Sequence, residues 1–271
     1  MPRFGSTPFS FPEFHGATRR LVLWNLAAYF ALLLGQLALP GQTFAWLRAL
    51  QFVPSFFLHG AFWQPLTYSF IHPSMMNALF DLLSLWFVAG FLEAAHTSRW
   101  VMGLYAISVL GTAAGATAIY ACSHSLGFAV MQIPLYGCVG GIFGLLVAIG
   151  LLYGDVEFLL FFTIGMKARY LVAIYALISI AMLFGEQRMY AFAQLGGALA
   201  GLLYVRVAPR NGLTLGVSER WYALRNRYYR WKRRRAARKF EVYMRSQGRT
   251  VRFDGQGRQL DDDANDKKRW N

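Results

Sequence analysis

The chain has 271 residues, of which 56% are hydrophobic and 17% aromatic, and a mean hydropathy of +0.35. That composition excludes an ordinary soluble domain, and it excludes a disordered chain more strongly still. The net charge of +14 does not change this, because nearly all of it lies at one end of a polytopic membrane protein.

The first twenty residues, MPRFGSTPFSFPEFHGATRR, contain Pro2, Pro8 and Pro12 and no apolar core. They do not have the pattern of a cleaved secretory signal, and residues 1–20 are expected to form a cytoplasmic segment. Crossing a bilayer core of ~30 Å takes roughly 20 apolar helical residues. Runs approaching that length with at most one charge predict an all-α, six-helix membrane domain over residues 21–207. Its spans are expected at Leu21–Leu39, Leu66–Phe91, Trp100–Cys122, Gly137–Tyr153, Tyr170–Phe184 and Ala191–Val207. The last three are short, which suits helices packed inside a bundle. Arg19, Arg20, Arg99, Lys167 and Arg169 fall on one side of these spans, opposite only Arg48 and Arg188. The positive-inside bias then puts both termini in the cytoplasm.

From Arg206 onward the chain holds 19 of the 27 basic and 7 of the 13 acidic residues, so the tail supplies +12 of the +14. Residues 208–247 are expected to form a basic interfacial helix, with Trp221, Leu224, Tyr228 and Trp231 at steps of three and four. Basic residues such as Arg233, Arg234 and Arg235 gain about 1 kcal/mol each beside anionic headgroups, and the aromatic residues favour the headgroup level. Anionic lipid is therefore the expected partner of the tail, a protein partner is the second reading, and nucleic acid is not expected. Residues 248–271 alternate glycine and charge and are expected to be disordered.

Within the membrane domain, small residues recur four apart: Gly111 with Gly115, Gly137 with Gly141, Gly140 with Gly144, and Gly197 with Gly201. Such spacing lets helix backbones approach closely, so the fourth and sixth spans are expected to be neighbours. Asp81 is the one acid well inside a span, where a carboxylate is costly and calls for a polar partner or marks a pathway. Asn77, Gln194 and His72 are its candidate partners, and a transport pathway at Asp81 is a further alternative. His15, His59, His96 and His124 lie in terminal or loop segments without ligand spacing, so no metal site is expected. No cofactor is expected either. Cys122 and Cys138 could pair in an oxidising compartment, although two buried thiols are the simpler expectation.

Several segments, in order, resemble the rhomboid family of intramembrane serine proteases. WQPLTYSFIHPSMMNALFDLLSLWFVAGFLE from Trp63 resembles that family's Trp-Arg loop element and second helix. YGCVGGIFGLL from Tyr136 resembles its serine-bearing fourth helix, AQLGGALAG from Ala193 resembles its histidine-bearing sixth, and FFTIGMKARYLV resembles a common connection between the fourth and fifth. The resemblance runs from about Phe57 to Val207 and implies a six-helix bundle. It also implies loss of catalysis: the serine position holds Val139 and the histidine position Gln194. The second-helix oxyanion donors correspond to Asn77 and Asp81, His72 matches the first family histidine, and the loop arginine corresponds to Gln64.

Valine offers no nucleophile and glutamine no useful base, while an ionised Asp81 would repel an oxyanion. Cys138 lies one residue early, with no base evident from the sequence. The expected function is that of a rhomboid pseudoprotease, which binds transmembrane helices or serves as an adaptor or subunit of a membrane complex. The competing reading is an active intramembrane endopeptidase. The aromatic content, short amino-terminal segment and basic tail suggest a bacterial inner membrane.

Overall fold

The computed structural model describes residues 12–127, 131–160, 164–208, 213–248, 252–253 and 259–260. Two compact units divide the chain, Met1–Leu213 and Thr214–Asn271.

The first unit opens with α1 (Gly16–Ala38), which is apolar nearly all round and buries only Ala17, Thr18, Leu21 and Asn25. Pro40 then begins α2 (Pro40–Leu50), a short helix that the hydropathy pattern does not single out. Two further short helices follow, α3 (Pro54–Leu58) and α4 (Gln64–Thr67), the latter running into a 3-10 turn at Tyr68–Phe70. The expected span Leu66–Phe91 is therefore broken, and its helix proper is α5 (Met75–Glu93). Pro73 disfavours helical backbone at His72, and Ser74 then caps α5 by accepting the Asn77 backbone N–H at 3.2 Å. After it, α6 (Ser98–Leu126) is longer than expected, with Thr97 capping it through the Trp100 backbone N–H at 3.3 Å.

Next comes α7 (Val139–Leu152), followed by an antiparallel hairpin of β1 (Glu157–Leu160) and β2 (Ile164–Lys167), with Glu157 opposite Lys167. The unit closes with α8 (Ala168–Met182) and α9 (Arg188–Val207). The hairpin corrects the all-α expectation: a short turn between two apolar helices satisfies its backbone by pairing with itself. Among the described residues, four helices are long and apolar enough to cross a membrane, namely α1, α5, α6 and α9, while α7 and α8 are shorter apolar helices.

The core is built where α6, α7 and α9 meet. A Cβ on Gly201 would stand 2.8 Å from the Gly144 Cα, and one on Gly111 would stand 2.7 Å from the Gly196 carbonyl. These glycines let the three backbones touch, and the expected contact between the fourth and sixth spans is present. On the periphery, α1 packs against α5, while α8 packs against α7 and α9. A carboxylate ties α1 to α5: Glu93 accepts the Ala17 N–H at 2.6 Å, the Thr18 N–H at 2.9 Å and the Thr18 hydroxyl at 2.7 Å. Buried Glu93 thus satisfies amide donors that the start of a helix leaves without partners.

In the second unit α10 (Leu213–Ser246) carries the basic run. Within the stretch expected to be disordered, β3 (Arg252–Phe253) pairs antiparallel with β4 (Gln259–Leu260).

Candidate functional site

The chemistry-bearing residues converge where the segment before α5 meets the start of α7. Gly137 stands at φ +83°, a conformation in which glycine alone is unstrained, and its N–H bonds the Tyr68 carbonyl at 3.1 Å. A Cβ there would also lie 2.9 Å from Asp81 Oδ2. The glycine thus lets the carboxylate reach the turn that starts α7, where Cys138 is the N-cap residue and Val139 the first helical one.

His72 lies between the 3-10 turn and α5 with its side chain fully buried, and Nε2 stands 3.5 Å from Asp81 Oδ2. The same nitrogen is 3.9 Å from Cys138 Sγ. Nδ1 is buried without a hydrogen-bond partner. Asp81 is 18% exposed and also faces the backbone amide of Cys138. The three ligand atoms of His72, Asp81 and Cys138 lie within 4.8 Å of one another.

Of the expected partners of Asp81, His72 is the one within ion-pair distance. Asn77 is exposed on α5. Gln194 instead accepts a hydrogen bond from Ser179 of α8 at 2.7 Å, so it joins α8 to α9 rather than α9 to α5. The expected Asn/Gln network around Asp81 is therefore replaced by a histidine and a cysteine. The expectation of no metal site weighed the other four histidines by spacing and did not consider the one that folding brings beside Asp81 and Cys138.

Gln64 is buried and satisfied by loop backbone, its Oε1 accepting the Val53 N–H at 3.2 Å and its Nε2 reaching the Ala49 carbonyl at 3.4 Å. Trp63 Nε1 donates to the same Ala49 carbonyl at 2.9 Å, and the Thr67 hydroxyl to the Leu50 carbonyl at 2.7 Å. Together they hold the carboxyl end of α2, whose last carbonyls have no partners within the helix.

A Cys–His pair invites comparison with a thiol protease, and His72 supplies the base that the sequence did not reveal for Cys138. The arrangement lacks two requirements of that chemistry. Cys138 has no exposed surface from which to attack a carbonyl. Asp81 also approaches the nitrogen that faces the thiol, whereas an orienting carboxylate in a catalytic triad binds the opposite one. Cys122 is an exposed free thiol and Cys138 a buried one, which corrects the expectation that both are buried.

In the second unit, Tyr228 and Trp231 are exposed with ring centroids 6.2 Å apart. Arg235 stands over the Trp231 ring at 5.5 Å, and Arg233 is exposed beside it. The side chains of Trp221, Leu224 and Arg234 lie outside the described residues.

Comparison with curated proteins gives no match. A family model does match, over residues 22–219, and its description reads Eukaryotic integral membrane protein (DUF1751). The word eukaryotic runs against the bacterial inner membrane expected from composition. The features behind that expectation, aromatic residues at the interface and a basic tail, suit any anionic cytoplasmic leaflet equally well. The match takes in all of α5 to α9 and well over half of the chain, so this protein belongs to that family of integral membrane proteins.

Proposed function

We propose that the chain is a rhomboid-like membrane protein without protease activity, which engages transmembrane helices of other membrane proteins as an adaptor or complex subunit. The observation that carries this reading is the pair of residues at the two positions where the resemblance calls for a dyad. Val139 begins α7 with no nucleophilic atom, and Gln194 is committed to Ser179.

In this reading α1, α5, α6, α7, α8 and α9 make six crossings with both termini cytoplasmic. The client helix enters between α5 and α8, which each pack on α7 and share no substantial interface of their own. Both helices carry exposed apolar side chains: Phe80 is 62% exposed on α5, and Leu177 is 66% exposed on α8. Asp81 and Asn77 form the polar end of the groove, beside His72, and Gln194 braces α8 from behind. Tyr228, Trp231 and the arginines of α10 hold the tail on anionic headgroups.

Two measurements on the full-length protein test this. Purification from native membranes in mild detergent should bring down single-span or complex-forming membrane proteins, and bulky substitutions at Phe80 and Leu177 should release them. A lipid-reconstituted cleavage assay should find no product from a transmembrane substrate. Cleavage by the wild type that disappears in Cys138→Ala would establish the endopeptidase reading instead.

A further inference from the structure

We propose that His72, Asp81 and Cys138 form a divalent metal site of the zinc type, which clamps α5 to the start of α7. This inference is independent of the client-binding reading, since it rests only on donor chemistry and distance.

The donors are an imidazole nitrogen, a carboxylate oxygen and a thiol sulfur, the mixture that suits a borderline-soft ion such as zinc. Zinc bonds of about 2.0 Å to nitrogen, 2.1 Å to oxygen and 2.3 Å to sulfur, set at tetrahedral angles, put neighbouring ligand atoms roughly 3.3–3.6 Å apart. In the structure nitrogen and oxygen stand 3.5 Å apart and nitrogen and sulfur 3.9 Å. All three ligand atoms lie within 4.8 Å of one another, so completing three corners of the tetrahedron asks for a few tenths of an ångström at the imidazole and up to about 1.2 Å between carboxylate oxygen and thiol. The fully buried His72 ring is positioned for this role, with its Nε2 pointing into the cluster.

Electrostatics favours the same assignment. A lone carboxylate at membrane depth is expensive, and a second anion beside it would be more so. A divalent cation balances one carboxylate and one thiolate, and it deprotonates the thiol as it binds. The two residues that carry the negative charge come from α5 and the N-cap of α7, so the ion would tie those two elements together through their side chains. Asp81 is the exposed edge of the cluster. That edge provides a route for entry and room for a water as fourth ligand.

The test uses the full-length protein, purified in detergent, stripped of metal with a chelator, and titrated with cobalt(II) and then with zinc in competition with a chromophoric chelator. One cobalt per chain is expected, with a thiolate-to-cobalt charge-transfer band in the near ultraviolet that zinc displaces. Cys138→Ser should abolish the band, and His72→Gln and Asp81→Asn should each weaken zinc binding at least tenfold. Cys122→Ser should leave both readouts unchanged. Gel filtration and thermal unfolding without metal identify which variants are folded, and wild type together with Cys122→Ser decides the matter even if Cys138→Ser does not fold. Absence of the band in folded wild type, its persistence in Cys138→Ser or its loss in Cys122→Ser would each overturn the proposal and leave a hydrogen-bonded cluster in its place.

Discussion

Two helices of almost equal length, α7 with 14 residues and α8 with 15, are both apolar and both too short to span a ~30 Å core at 1.5 Å per residue without help. Their fates in the fold are opposite. Every residue of α7 from Gly140 to Ile149 is buried, whereas α8 buries only Ala168 and Ser179. In lipid, apolarity alone gives a helix no reason to prefer a protein neighbour. The distinguishing property is steric: α7 presents Gly140, Gly141 and Gly144 to α6 and α9, and α8 has no glycine at all. The expectation that short spans are interior helices therefore holds for α7 and fails for α8.

The difference can be tested by substitution, with unfolding of the detergent-solubilised protein as readout. Gly144→Leu should have the largest effect, because any side chain there overlaps Ser108 and the Gly197 carbonyl. Overpacking of this kind costs about 3 kcal/mol or more, and loss of folded monomer is expected. Ile149→Ala, at a site 1% exposed, should cost about 2–4 kcal/mol through the cavity it leaves. Glu93→Ala should cost roughly 2–3 kcal/mol by stranding buried donors on α1, an effect that Glu93→Gln partly restores. Ser179→Ala removes the hydrogen bond to Gln194 and should cost about 0.6 kcal/mol. Leu177→Ala on α8 should change stability by less than about 0.5 kcal/mol, while reducing capture of membrane partners. If Leu177→Ala were as damaging as Ile149→Ala, the contrast between the two helices would collapse.

Much of the membrane domain was legible because hydropathy and small-residue spacing are local signals. The glycines of α6, α7 and α9 announced their contacts at fixed spacing, and the basic run marked α10. The break before α5 was also written locally, in Pro73 and Ser74, but the apolar residues on either side hid it from a hydropathy count. The site was less legible. His72 and Cys138 are 66 residues apart, and no periodicity links a loop histidine to an N-cap cysteine. The same holds for Glu93 and Thr18, 75 residues apart, and for Gln194, whose partner turned out to lie on α8. Such pairs become visible only when the backbone turn at Gly137 or the crossing of α1 over α5 is known.

The Glu93 clasp bears on the order in which the molecule can be made. Helix α1 is synthesised first, yet its opening turn has no internal partner for the Ala17 and Thr18 amides until a residue more than seventy positions later arrives. During translation the Glu93 contacts of α1 can therefore form only once the carboxyl end of α5 has emerged. Closing so long a loop carries an entropic cost, so the pairing of α1 with α5 belongs late in assembly. A truncated chain ending before Glu93 should leave α1 free to exchange with lipid, and a nascent chain extended past it should not.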